Sequence, residues 1–209
     1  MRLLPEMPAA KDAHEGGGAY AGQPRLADIA FIRPVALCEY SDLRHLHASA
    51  MRAAAARDLA GDGTVLSDAL SGGISAYIYG VGYLERLTSV MLFGAWIDTL
   101  LVASCSWRTD PFDPRVGIID DLFVSPLFDR AGLGDRLLTH VENHAGERGV
   151  ERYVVEATGS ARHFLARAGY GDSGIYRTVV EDEATPLRMF RFEKATPASV
   201  AVSAAGASQ

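Results

Sequence analysis

Asp120-Asp-Leu-Phe-Val-Ser-Pro-Leu-Phe-Asp-Arg-Ala-Gly-Leu-Gly134 is the stretch on which the fold turns. Its first half closes an apolar run, 116–124, that reads as a strand. Its second half is a loop with glycines at 132 and 134. The loop opens directly onto residues 134–148, where Leu137, Leu138, Val141 and Ala145 recur at helical spacing and Gly149 marks the end. Such a strand, loop and helix present unpaired N–H groups at a helix N-terminus, where the macrodipole favours an anion. Gly132 and Gly134 allow the backbone to come close to a phosphate, and Arg130 can add a charge-assisted contact. An ordinary strand-to-helix turn has the same pattern, and Gly-x-Gly alone does not separate the two. Two other phosphate motifs fit worse. A P-loop needs Gly-Lys-Ser/Thr where Gly134-Asp135-Arg136 stands. A dinucleotide fold carries its glycines near the start of a doubly wound pattern, and this loop lies past mid-chain.

Upstream, residues 29–34 read as a first strand ending at Pro34. Ser41 is a candidate N-cap for a helix to about Leu59, with Leu43, Leu46, Ala50, Met51 and Ala54 on its apolar positions. Gly61-Asp62-Gly63 reads as a turn and 66–70 as one helical turn. The stretch 74–87 fits helix or strand, with 83–87 leaning to helix. Residues 90–96 and 100–107, separated by Ile97-Asp98-Thr99, read as a hairpin. Downstream, 152–156 reads as a strand, Ser160 as the cap of a helix over 161–168, and 175–180 with 187–192 as a closing hairpin through 181–186. The expected order is β-α-(α)-β-β-β-α-β-α-β-β.

The chain has 209 residues, 48% hydrophobic and 22% charged, which suits one globular domain. Residues 1–25 and 195–209 lack an apolar period and read as disordered tails, leaving 26–194 as the domain. The formal net charge of −6, with no basic cluster, argues against nucleic acid as a partner. No apolar run nears the roughly 18 residues of a membrane span, and residues 1–18 lack the apolar core of a secretory signal. Cys38 and Cys105 each read as a small buried thiol rather than half of a bridge. Together these give a cytoplasmic expectation.

The run Val124-x-Pro126-x-Phe128-x-x-x-Gly132-Leu-Gly134-x-x-Leu137-Leu138 resembles the pyrophosphate-binding motif of the GNAT superfamily of N-acetyltransferases. Ala161-x-x-Phe164-Leu165-x-Arg167-x-Gly169-Tyr170 resembles its second hallmark, and the runs around Ala95-Trp96 and Leu101-Val102-Ala103 resemble its central hairpin. The resemblance covers about residues 28–193. It implies an α/β fold of the α+β type: a central mixed, mostly antiparallel sheet, splayed at the cofactor site and flanked by helices. It implies acetyl-CoA (coenzyme A) as cofactor. The backbone of Leu122, Phe123 and Val124 would then pair with the pantetheine arm. Asp129, Arg130, Ala131, Gly132, Leu133 and Gly134 would wrap the pyrophosphate, and Phe164 would line the path to the thioester. It further implies an acceptor pocket built largely from residues 41–90. The partner is then a small-molecule or protein amine, with no nucleic acid and no membrane, and a homodimer is allowed.

Three positions depart from the family pattern. Asp129 stands where Arg or Gln is usual, so its carboxylate must turn from the phosphates or bond backbone N–H groups. The Asn often found near Thr158 is absent. Leu165 stands where a tyrosine commonly protonates the leaving thiolate.

Acyl transfer to an amine needs a neutral amine, a polarised carbonyl and a proton for sulfur. Asp120 and Asp121 adjoin the expected splay, and strand alternation puts them on opposite faces. Asp120 shares parity with Leu122 and Val124, the side the resemblance turns to the acceptor, so Asp120 is the candidate base. Both can equally be ordinary hydrogen-bonding residues. Tyr170 is the candidate acid, with Tyr176 the next phenol, although each is more often a packing residue. His140 and His144, four apart on a helix, suit a metal by spacing but lack a third ligand, so no metal is assigned and both read as solvent-exposed. His45 and His47 do not share a helix face and receive no role. Trp96 and Trp107 read as core. Three functions stay open: an N-acetyltransferase, a non-catalytic acyl-CoA-binding module, and a nucleotide-binding transferase that uses the same loop.

Overall fold

The computed structural model describes residues 25–60, 66–178 and 188–196, apart from the side chains of 175–178. The expected tails (1–25 and 195–209) apart from Arg25, Ala195 and Thr196, the turn at 61–63 and the turn at 181–186 lie outside the described residues, as does the side chain of Tyr176.

Seven strands form one sheet in the order β1-β2-β3-β4-β5-β7-β6. They are β1 (Phe31–Pro34), β2 (Met91–Ile97), β3 (Leu100–Thr109), β4 (Val116–Val124), β5 (Arg152–Thr158), β6 (Gly171–Thr178) and β7 (Arg188–Ala195). All neighbours pair antiparallel except β4 and β5, which are parallel. A parallel pair needs a crossover, and helix α5 (Leu133–Gly146) provides it. The mixed, mostly antiparallel sheet expected from the sequence is therefore present.

Two apolar layers cover the sheet. On one face α5 packs Leu133, Leu137, Leu138, Val141 and Ala145 onto Phe93, Val102, Ile119 and Val155. The short helix α6 (Arg162–Arg167) adds Leu165 to this layer. On the other face α2 (Tyr40–Ala60), α3 (Asp68–Tyr79) and α4 (Val81–Thr88) bury Leu43, Leu46, Ile74, Ile78, Tyr83 and Leu87 against Trp96 and Leu101.

Several local expectations change. The first strand begins at Phe31, because Leu26–Ile29 winds into a single helical turn, α1. Arg136 of α5 holds that turn by donating to the carbonyls of Ala27 and Ala30. The stretch left open between helix and strand is helical. Ile74 with Ile78, and Tyr83 with Leu87, place buried side chains four residues apart. Ser67, within the expected helical turn 66–70, caps α3 by accepting the Leu70 N–H at 3.2 Å. Ser160 does not cap α6. It lies in a 3-10 turn, Gly159–Ala161, and its own N–H donates to Asp58 of α2 at 2.5 Å. Cys38 is exposed, whereas Cys105 is buried. Among the described residues no helix is long and apolar enough to cross a membrane.

Candidate functional site

The chemistry-bearing region lies where β4 parts from β5. The two strands pair only from Val116↔Arg152 to Ile119↔Val155. Beyond these, β4 runs on to Val124 and β5 to Thr158 without pairing with each other, while β5 stays with β7. On its other side β4 stays with β3, and the Ser125 N–H still donates to the Val102 carbonyl at 2.8 Å. The backbone of 120–124 thus has one edge inside the sheet that meets no neighbouring strand.

At the start of this segment β4 carries a bulge. Ser106 pairs with Asp120 and Ser104 with Phe123, so two steps along β3 match three along β4. The extra residue is absorbed at Asp121, whose φ is +53°. The bulge corrects the alternation argument. Ile119, Leu122 and Val124 face the α5 layer. The Asp121 carboxylate meets Arg86 of α4, and the Phe123 ring lies 4.6 Å from the ring of His47 on α2. Asp120, the neighbour of Ile119, points to this same α2/α4 face, as does Asp121. The two carboxylates are therefore on one side, opposite Leu122 and Val124. That side is built by residues 41–90, the segment expected to form the acceptor pocket.

Their environments differ. Asp121 accepts from Arg86 Nη1 at 2.9 Å and Nη2 at 2.6 Å, and from Ser106 Oγ at 2.7 Å. Burial alone pushes its carboxyl up. The Arg86 guanidinium and the Ser106 hydroxyl outweigh that and hold it below the usual carboxylate range. Asp120 is half-buried, and its carboxyl is pushed up to about 6. Desolvation is the main cause. The Asp121 and Glu156 charges add to it, and Arg86 and Arg108 oppose it. Asp121 is thus a fixed anion, while Asp120 can exchange a proton near neutrality.

His47 received no role from the sequence, yet it is fully buried here. Its Nδ1 bonds the Tyr83 hydroxyl and its Nε2 lies 2.7 Å from Ser104 Oγ. Burial lowers its pKa to about 4, so its 3.9 Å approach to Asp121 is no ion pair at neutral pH. A sequence signal was present, since His47 lies on the buried stripe of Leu43, Leu46 and Ala50.

The loop after β4 makes one 3-10 turn, Pro126–Phe128, and then enters α5 through Gly132. Gly132 is the N-cap at φ +80°, in the left-handed region, and no side chain caps the helix. Gly134 serves a different purpose. A Cβ there would lie 3.3 Å from the Phe164 ring and 3.6 Å from Val124, so the bare position seats Phe164 against the helix start. Arg130 is exposed and also has positive φ, +60°. Asp129 is exposed, and its Oδ1 accepts the Arg130 N–H at 3.0 Å.

Tyr170 is not brought to this region. Its ring is 4% exposed in the α5 core, and its hydroxyl donates to Glu142 Oε1 at 2.7 Å. Lys194 donates to both oxygens of the same carboxylate. Burial and the Glu142 charge push the Tyr170 phenol far up. Glu142 lies two turns along α5 from Gly134, roughly 12 Å at 1.5 Å per residue. The hydrogen bond commits the Tyr170 proton to a structural carboxylate, which sets this phenol against the role of acid expected for it. Leu165 is fully buried in the same layer. His140 and His144 are half-buried, not exposed. Both rings pack on Phe93, and the Trp107 indole N–H donates to His144 Nδ1 at 2.9 Å. Both tryptophans are core, as expected.

Residues 66–170 match the model of the acetyltransferase (GNAT) family. The fold is similar to a GCN5-related N-acetyltransferase from Rhodopseudomonas palustris, at 18% identity over 83% of this chain and 100% of that one, with a TM-score of 0.66. It is also similar to the PaiA N-acetyltransferase of Thermoplasma acidophilum, solved in complex with coenzyme A (14% identity, 80% and 99% covered, TM-score 0.59). A third similar structure is YncA of Salmonella typhimurium, a putative acetyltransferase solved with acetyl-CoA (13%, 79% and 93%, TM-score 0.56). No curated protein sequence matches the chain significantly.

Proposed function

The chain belongs to the GNAT acetyltransferase family, and from that premise we propose that it transfers an acetyl group from acetyl-CoA to an amine, with Asp120 as the base. The observation that carries this reading is the parting of β4 from β5 beyond Ile119/Val155, followed after the end of β4 and one 3-10 turn by an uncapped helix N-terminus. One places an unpaired strand edge beside the other's free N–H groups, and a pantetheine arm ending in a pyrophosphate needs both. Two of the similar structures hold coenzyme A or acetyl-CoA, which supports the same cofactor here.

The residues divide the work as follows. The backbone of Leu122, Phe123 and Val124 holds the pantetheine amides. The N–H groups of Gly132, Leu133 and Gly134, with Arg130, hold the pyrophosphate, while Asp129 and Ala131 shape the turn. Phe164, seated on Gly134, closes the channel near the reacting end. Acetyl-CoA, when bound, supplies an activated thioester. Asp120 accepts the proton of the attacking amine, directly or through a water. A base with a pKa near the working pH suits that task. The sulfur needs no dedicated acid, because a thiolate with a pKa of about 8.5 is a tolerable leaving group.

Calorimetric titration with acetyl-CoA, followed by thiol release across a panel of primary amines, tests the proposal. Failure to bind acetyl-CoA sinks it. Binding without thiol release favours the second reading, a non-catalytic acyl-CoA-binding module. One observation favours that alternative: neither Leu165 nor Tyr170 offers a phenol to the leaving sulfur.

A further inference from the structure

Five residues from three elements converge on the one residue of β4 with a left-handed backbone. Ser104 Oγ donates to the Asp121 carbonyl at 3.0 Å. The hydroxyl proton is thereby used, so Ser104 accepts from His47 Nε2, 2.7 Å away. His47 is neutral and has a single N–H. With Nε2 protonated, Nδ1 is an acceptor, and the Tyr83 hydroxyl must donate to it. The chain therefore runs one way: Tyr83 to His47 to Ser104 to the Asp121 carbonyl. Ser106 and both Nη groups of Arg86 bind the other end of the same residue, its carboxylate. His47, Ser104 and Ser106 are fully buried, Tyr83 is 3% exposed and Asp121 7%. Burying this many polar groups is costly, the more so because the buried Arg86 Nε finds no partner among the described residues, and a simpler apolar core would serve packing alone.

We propose that Tyr83, His47, Ser104, Ser106 and Arg86 form a clamp on Asp121. The clamp fixes the β4 bulge, so that Asp120 is aimed at the acceptor and kept beside a permanently ionised carboxylate. These are positioning residues, and the proposal rests on the reading of Asp120 as the base. Asp121 holds a φ of +53°, a conformation a non-glycine side chain adopts at a cost. Pinning both its carbonyl and its carboxylate compensates for that cost. The clamp also sets the field at Asp120, which is faced by Asp121 on its own strand, Arg86 from α4, Glu156 from β5 and Arg108 from β3. Removing Arg86 takes away a cation and must weaken proton release at Asp120. Neutralising Asp121 removes an anion and leaves Arg86 uncompensated, so it must ease release.

The test is a carbon-13 NMR titration of the Asp120 carboxyl in the full chain, with its signal assigned by its loss in Asp120→Asn. It requires neither cofactor nor acceptor. The expected wild-type midpoint is about 6. Arg86→Gln should raise it by roughly one unit, and Asp121→Asn should lower it by a similar amount. Arg86→Lys keeps the charge but not the two-pronged contact. It should leave the midpoint near wild type while slowing thiol release from acetyl-CoA with simple primary amines, and it carries the test with Asp121→Asn if Arg86→Gln does not fold. Midpoints that stay fixed in Arg86→Gln and Asp121→Asn, or move in the same direction, overturn the clamp. Opposite shifts in a protein that releases no thiol uphold the clamp and refute acyl transfer instead.

Discussion

On the α5 side of β4 the site is made of backbone. Gly132 turns the chain at positive φ, α5 offers its uncapped N-terminus, and Phe164 rests on Gly134. Everything there except Phe164 lies within a single run of the chain, 122–134. On the α2/α4 side the site is made of side chains, and residues 47, 83, 86, 104, 106, 120 and 121 meet there from four elements. The first side can recognise a part of the cofactor by its charge alone, and main-chain N–H groups suffice for that. Under the proposed function the second moves a proton for the acceptor, and only titratable side chains in set positions can do so. The proposed function therefore makes binding and chemistry separable by mutation across the thickness of one strand.

Asp120→Asn attacks the chemical side and carries the largest expected effect. Turnover should fall by roughly 100-fold or more, the usual scale for losing a general base. Affinity for acetyl-CoA should stay as in wild type. In wild type kcat/KM should rise as pH climbs through about 6, because the base works only when ionised. The stability effect has the opposite sign. A carboxyl whose folded pKa is raised above its unfolded value of about 3.9 weakens the fold above pH 6, and that penalty fades as pH falls from 6 to 4. Asp120→Asn should therefore melt no lower than wild type at pH 8. A variant that loses affinity for acetyl-CoA as well as turnover would erase the division between the two sides.

Gly132→Val attacks the binding side. Valine at φ +80° is strained, and its branches fill the space a phosphate needs. Affinity for acetyl-CoA should drop by about tenfold or more, with a melting temperature lower by several degrees. The midpoint of the Asp120 titration should not move, since Gly132 shares no contact with the clamp. Unchanged calorimetric affinity in a folded Gly132→Val protein would remove the pyrophosphate from this loop.

The same division governs what could be read from the sequence. The binding side was legible because helical period, glycines and loop are neighbours in the chain: the 116–124 strand and the start of α5 fall within a residue of expectation. The chemical side was not. Parity in a strand presumes no bulge, and Asp120 with Asp121 broke that presumption. The signal lay in the pair itself, because two adjacent carboxylates in an apolar strand cannot both alternate into useful environments. For His47 the comparison with His45 is uninformative, and its place among Leu43, Leu46 and Ala50 is what marks it as buried. The helices α3 and α4 stayed ambiguous because Gly72 and Gly73 and the β-branched Ile74 and Ile78 weaken local preference, and tertiary packing decided the matter. Nearness in sequence points to Tyr170, and only the fold shows its hydroxyl bonded to Glu142 in the α5 layer.

Tyr170→Phe sharpens that last point with a smaller effect. The variant loses one hydrogen bond to Glu142, which keeps Lys194, so the cost should be about 1 kcal/mol, read by denaturant titration. Turnover should remain within twofold of wild type. A loss of tenfold or more in kcat, with the fold intact, would return Tyr170 to the chemistry and join the α5 core to it.

Asp129→Arg gives the smallest expected effect and probes the binding side where it departs most from its family. Among the described residues the carboxylate accepts only the adjacent Arg130 N–H, at 3.0 Å, and both residues are exposed. Losing that local bond should cost little in solvent. Against the loss stand three gains for a bound pyrophosphate: one anion fewer beside it, one more N–H released, and one guanidinium within reach. Affinity for acetyl-CoA should therefore be equal to wild type or tighter, by no more than about tenfold, and any gain should shrink at high salt because the charges are exposed. Calorimetry at two salt concentrations reads both terms. A tenfold loss would show that the Asp129–Arg130 bond shapes the loop before ligand arrives. Backbone alone would then not define the binding side, and the contrast with the clamp around Asp121 would become one of degree: two aspartates, one on each side, each holding its segment by its carboxylate.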